Sequence, residues 1–173
     1  MTVNQGAEQL RQKLRRMCDG WMAEGLPSRE VLERTADELE QWKRRRQTIG
    51  IWPSRPLLAT ATLDDGLGQG LVIVERYAEV IGLEVERIGL LQRPQAIIDT
   101  CHRRQPAFLG LTVLQLDSDD ALSRIGRSLP EHTLLIAGGP VFAFDGAMAA
   151  RCHVDVVAAD LAHFVDFLLK WKH

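Results

Sequence analysis

Residues 56–71, PLLATATLDDGLGQGL, constrain the fold of this chain more than any other stretch. An apolar run ends in two acids, Asp64 and Asp65, and glycines then stand at every second position, Gly66, Gly68 and Gly70. Residues 57–63 are too few for a helix and rich in small and β-branched side chains, which predicts a buried first strand. The glycines permit positive φ or close backbone approach. The loop therefore reads as a binding edge leading into a helix, and the same strand, loop and helix rhythm returns four more times.

A chain of 173 residues with 46% hydrophobic content suits one domain of ordinary size, a small appendage and a full core. The net charge of −2 gives no general argument for nucleic acid, and no apolar run approaches the roughly 20 residues of a membrane span. The N-terminus, MTVNQGAEQLRQKLRR, lacks the apolar core of a signal peptide, so the expectation is a cytoplasmic protein. Cys18, Cys101 and Cys152 are odd in number and widely scattered, which fits neither a disulfide framework nor a zinc knuckle. They read as buried or idle thiols.

Residues 1–50 predict a helical hairpin. Ala7, Leu10, Leu14, Met17 and Trp21 form one stripe, Gly25 ends it, and Ser28 caps a second helix striped by Leu32, Thr35, Leu39 and Trp42. Two helices cannot bury both stripes alone. They pack either on the rest of the chain or on the hairpin of a second subunit, and the second option predicts a homodimer. The basic run 43–46, KRRR, reads as a solvated helix end, with nucleic-acid contact as the competing reading. Residues 51–56 read as a linker, in which Trp52 must find cover on the protein or over a ligand.

Residues 57–173 predict a single α/β domain. After the first strand, Leu71, Val74, Tyr77, Ala78 and Ile81 mark a helix stopped by Gly82, and residues 83–88 alternate as an edge strand does. Pro94 opens a helix that Pro106 breaks; residues 108–114, FLGLTVL, form a wholly apolar central strand. A polar helix over 117–129, strands at 133–137 and 154–158, and a last helix ending in Trp171 complete the pattern. This is a flavodoxin-like, Rossmann-like parallel sheet of five strands in the order 2-1-3-4-5, covered on both faces.

Ligands of such sheets bind at the carboxyl ends of the strands near the switch in strand order. That edge comprises residues 64–70, then Thr112 to Gln115, then Gly138, Gly139, Pro140 and Val141. Its glycines either let a flat ligand lie on the backbone or simply make tight turns. Over residues 56–170 these segments resemble the cobalamin-binding domain family. Its first-loop pattern D-x-H-x-x-G falls on Leu63, Asp64, Asp65, Gly66, Leu67 and Gly68; its S-x-L on Thr112, Val113 and Leu114; its G-G on Gly138 and Gly139. The resemblance implies a corrinoid held by Asp64, Asp65, Gly66, Leu67, Gly68, Thr112, Leu114, Gln115, Gly138, Gly139 and Pro140, with the last two motifs lining a channel for the nucleotide tail. It also implies a helical module over the upper face of the corrin, a role open to Trp21, Trp42 or Trp52.

The first motif departs from the family where cobalt would be ligated. Asp65 stands in place of the lower-ligand histidine and Leu63 in place of the aspartate that orients it, so the pair is lost as a unit. A carboxylate is a hard oxygen donor and a poor imidazole mimic. His102, His132 and His153 precede strands and belong at the opposite edge, and His163 sits in the last helix. The expected cofactor is therefore cobalamin that keeps its own base or carries a weak or water lower ligand. No protein side chain is expected to bind a metal directly.

Three other readings compete. The acid pair resembles that of a phospho-receiver, but strands three and five end in Leu114-Gln115 and Ala158-Ala159, where that chemistry requires an aspartate and a lysine. Gly66, Gly68 and Gly70 do not have dinucleotide-loop spacing, and two carboxylates would repel a pyrophosphate. The domain can also be a regulatory or interaction module that has lost the cofactor or takes haem, its acids capping the following helix. No catalytic constellation appears, so chemistry is expected from the cofactor and a partner protein, a methyltransferase, radical enzyme or regulator. On the binding reading, the acid pair accepts a hydrogen bond from a corrinamide or a lower-face water. Gly138→Val and Gly139→Val are expected to abolish binding and leave the fold mostly intact.

Overall fold

A computed structural model of the chain describes residues 3–64 and 69–172. The elements run α1 (Val3–Glu24), α2 (Arg29–Arg46), β1 (Leu57–Thr62), α3 (Gln69–Ile81), β2 (Glu84–Gly89), α4 (Pro94–Arg104), β3 (Phe108–Thr112), a 3-10 turn (Leu116–Ser118), α5 (Asp119–Ser128), β4 (Leu134–Gly138), α6 (Val141–Phe144), α7 (Met148–Arg151), β5 (Val156–Val157) and α8 (Leu161–Lys170). The sheet order is β2-β1-β3-β4-β5, with β1, β3, β4 and β5 parallel. Both the order and the N-terminal hairpin agree with the sequence reading. The short helices α6 and α7 lie where no periodic pattern announces them.

The chain divides into two compact units. The first gathers α1, α2, the chain as far as Arg55, α3 from Val72 onward and α8. Here the stripe of α1 is centred on Leu10, Leu14 and Cys18, all at most 1% exposed. It is covered within the chain: Arg11 donates to Leu169 O, Arg15 pairs with Asp166 at 2.8 Å, and the Cys18 thiol donates to Ala162 O, all on α8. The centre of the α1 stripe thus has cover within the chain, while Leu39 and Trp42 of the α2 stripe stay partly exposed. Ser28 Oγ accepts from Val31 N, as a cap should. Buried Tyr77 meets Trp21 edge-on at 5.4 Å and donates its hydroxyl to Leu32 O, tying α3 to both hairpin helices.

The basic run departs from the solvated-end reading at one residue. Lys43 is only 7% exposed and donates to Glu79 O at 2.7 Å and to the Glu40 carboxylate at 2.9 Å, while Arg44, Arg45 and Arg46 remain exposed. Trp52 is also buried, edge-on against Trp171 at 5.4 Å.

The second unit contains the strands with α4, α5, α6 and α7. Ala59, Ala61, Leu109, Leu111, Val113 and Leu135 pack on Ile97, Ile98 and Cys101 of α4 and Leu122 and Ile125 of α5. Pro94 occupies the first turn of α4, where its missing N–H costs nothing, and no residue of β2 is buried, as suits an edge strand. All three cysteines are free and buried. Burial raises each thiol, Cys101 to about 11 with the Glu86 carboxylate adding to the effect.

Candidate functional site

The alternation of a strand places Thr60, Thr62, Gly110, Thr112, Ile136 and Gly138 on the sheet face opposite the α4/α5 core. Their register is direct: Thr60 beside Gly110 beside Ile136, and Thr62 beside Thr112 beside Gly138. The last row before the carboxyl edge therefore contains nothing larger than threonine, and Gly110 sits one row below it. Gly110, Thr112 and Gly138 all retain partial exposure. A glycine inside an apolar strand is the sequence signal that could have singled out Gly110.

The loops beyond this row are fastened together by polar contacts. Asp64 is only 5% exposed, and its Oδ2 accepts from Leu114 N at 2.6 Å and Gln115 N at 3.1 Å. Thr62 Oγ1 donates to Asp64 O and accepts from Leu91 N, and Gln92 N donates to Thr62 O. Three sequence-predicted residues, Asp64, Leu114 and Gln115, are thus brought into direct contact. Thr62, Leu91 and Gln92 were missed, because no local pattern shows that a strand-end hydroxyl meets the next loop. Asp65, Gly66, Leu67 and Gly68 lie outside the described residues.

Asp64 Oδ1 has no partner among the described residues. The aspartate lines a cleft of about 410 Å³ together with Leu63, Leu91, Pro94, Gln115 and Ser118, among others. Leu91, 61% exposed, has φ 52, a left-handed conformation that a leucine adopts at a cost. Leu90, Leu114, Leu116 and Phe144 are also exposed at this edge.

Gly139 and Gly138 do not lie open. A Cβ on Gly139 would stand 1.9 Å from Val113 O, at φ +132, and one on Gly138 would stand 2.8 Å from Ala158 O. The expectation that valine at these positions leaves the fold intact is therefore corrected: neighbouring main chain already occupies the space. Pro140 is exposed and precedes α6.

His102 ends α4 and contacts Ser128 O, while His132 and His153 lie on the connections into β4 and β5, and His163 is in α8. None lies on a segment at the carboxyl edge. Among the described residues no group of three His, Cys, Asp or Glu could hold a metal ion, and no helix is long and apolar enough to cross a membrane. The donor set does not fit a corrinoid ligated by a protein histidine.

No protein-family model matches the sequence, and no curated protein matches it. Solved structures do. A cobalamin-binding protein from Desulfitobacterium hafniense DCB-2 aligns over 100% of both chains with a TM-score of 0.72 at 17% identity. The monomethylamine corrinoid protein of Methanosarcina barkeri aligns over 93% of this chain and 79% of its own, with TM-score 0.60 and 16% identity. One chain of the methanol:cobalamin methyltransferase complex MtaBC of the same organism aligns over 98% of this chain and 68% of its own, with TM-score 0.63 and 15% identity. From its helical hairpin to its last helix, this chain has the fold of these cobalamin-binding and corrinoid proteins.

Proposed function

We propose that the protein binds a corrinoid, cobalamin in the first instance, at the carboxyl edge of its sheet and without histidine ligation, as a carrier, sensor or subunit serving a partner protein. The observation that carries this reading is the pair of partly exposed small residues Thr112 and Gly110 on β3, at the carboxyl edge beside the switch in strand order. Whole-length likeness to solved corrinoid proteins supports it. The residues that would hold the cofactor are the first loop from Asp64 to Gly68, then Thr112, Leu114 and Gln115, then Gly138, Gly139 and Pro140. A bound corrinoid supplies cobalt-centred chemistry. The chain's own part is to bind and orient it, and the methyltransferase complex among its likenesses points to a methyltransferase as the class of partner.

A visible-spectrum titration with hydroxo-, methyl- and adenosylcobalamin in dim light, followed by gel filtration, tests the reading. Colour that travels with the protein and keeps a base-on spectrum is the expected outcome. Colourless protein with all three forms overturns it. One observation favours the other reading, an interaction module of the same fold without a corrinoid. Phe144 is 81% exposed and Leu116 56% exposed, which is apolar surface of the kind a protein partner covers. Haem, tested next, belongs to that branch.

A further inference from the structure

Asp64 combines three properties rarely found together in a carboxylate: 5% exposure, one oxygen engaged by two backbone N–H groups, and a second oxygen with no partner among the described residues. A buried acceptor left unpaired is costly, and native proteins retain one where something outside the chain completes it. The cleft that Asp64 lines limits what that can be. Among the described residues no lysine, arginine or histidine lines it. Asp117 adds a second carboxylate at the rim, which turns anions away. A metal ion would find too few ligands among the described residues. Leu63, Leu91 and Pro94 give the walls an apolar character, so the fitting group is a neutral N–H donor on a short methylene arm.

We propose that Asp64 Oδ1 accepts the N–H of one peripheral propionamide of the corrin, and that the cleft behind it is the pocket for that amide arm. The assignment rests on the corrinoid reading above and adds the subsite and the residue. A corrin macrocycle carries acetamide and propionamide arms around its rim, and a carboxylate receiving an amide N–H forms a charge-assisted hydrogen bond. Asp64 thereby has two roles in one side chain. Oδ2 holds the loop after β3 in place, and Oδ1 reads the ligand.

Isosteric exchange separates the two roles. In Asp64→Asn the amide oxygen can still accept from Leu114 N and Gln115 N, while its NH2 group turns the orphan acceptor into a donor. The probes are cobalamin and its three singly hydrolysed derivatives, each with one propionamide converted to a carboxylate, titrated by absorbance and calorimetry; urea unfolding monitors the fold. Wild-type protein is expected to bind cobalamin and to discriminate against one derivative by at least about tenfold, since an ionised carboxylate there would face Asp64. Asp64→Asn is expected to lose about tenfold for cobalamin, with its unfolding midpoint unchanged, and to recover affinity for that one derivative. Wild-type protein that binds cobalamin and all three derivatives equally overturns the assignment alone, whether or not the variant folds. So does a folded Asp64→Asn that binds cobalamin as wild type does. No corrinoid binding by wild-type protein overturns the corrinoid reading and the assignment with it.

Discussion

Gly110 and Gly139 lack side chains for different reasons, and the difference decides which of them can probe the site. Gly139 holds φ +132 with Val113 O where a Cβ would be, so Gly139→Val is expected to cost about 3 kcal/mol or more and to shift the urea midpoint accordingly. Loss of ligand binding in that variant would reflect unfolding. A Cβ on Gly110 would meet Leu58 Cδ1 at 3.4 Å and Thr60 Cγ2 at 3.6 Å, ordinary contacts with two buried side chains. Gly110→Ala, which adds only that Cβ, is therefore expected to unfold cooperatively with a midpoint near that of wild type, and to lose corrinoid affinity by about tenfold. Leu91 is strained and exposed at once. Leu91→Gly relieves the left-handed conformation and is expected to raise stability by about 0.5 to 1 kcal/mol while weakening the ligand, with melting and titration as the two readouts. Leu63, where the resemblance would place an orienting aspartate, packs against the core under α4 and α5. Asp65→His alone should leave a bound corrinoid base-on, because nothing at position 63 can fix an imidazole; an immediate base-off spectrum would contradict this.

The C-terminus of α3 shows what an element requires beyond its own pattern. Helices end with unpaired carbonyls, and here Ala78 O, Glu79 O and Ile81 O each have a donor from outside the helix. Ala78 O receives Gly82 N and Leu83 N, Glu79 O receives Lys43 Nζ, and Ile81 O receives Ile51 N. Lys43→Met keeps the apolar stem and removes the donor. It is expected to cost about 1 to 3 kcal/mol in chemical denaturation, because Glu79 O and Glu40 each lose a partner. In α4 the buried Cys101 makes stability depend on alkaline pH. Its thiol titrates near 11 in the fold against 9.0 as an ordinary thiol, so the unfolded chain releases its proton first. That contribution is complete below pH 9 and falls by about 1.4 kcal/mol per unit as pH rises towards 11. Cys101→Ala should flatten that slope, and a thiol reagent at pH 8 should leave Cys101 unmodified in the native protein.

At the scale of the whole molecule, the sequence by itself determined the element types, the five-stranded parallel topology and the absence of a histidine from the segments at the carboxyl edge. Those follow from local quantities: apolar runs such as 108–114, the glycines after residue 63, Gly82 and Pro94 at helix boundaries, and the handedness rule for parallel crossovers. Tertiary structure alone decided which groups meet. The division of the chain puts the hairpin with most of α3 and α8 in one unit, although these segments are far apart in sequence. The burial of Lys43 could not be read from a run of four basic residues, because charge patterning describes a helix face in solvent and Glu79 O comes from another helix. Asp64 reads locally as a helix cap or a ligand contact. Its actual partners are fifty residues away, the backbone N–H groups of Leu114 and Gln115, and the oxygen they leave over is visible only once the loops after β1 and β3 have closed on each other. Periodicity reports which face of an element is buried; the direction of a hydrogen bond between loops depends on register across the sheet, which no single segment encodes.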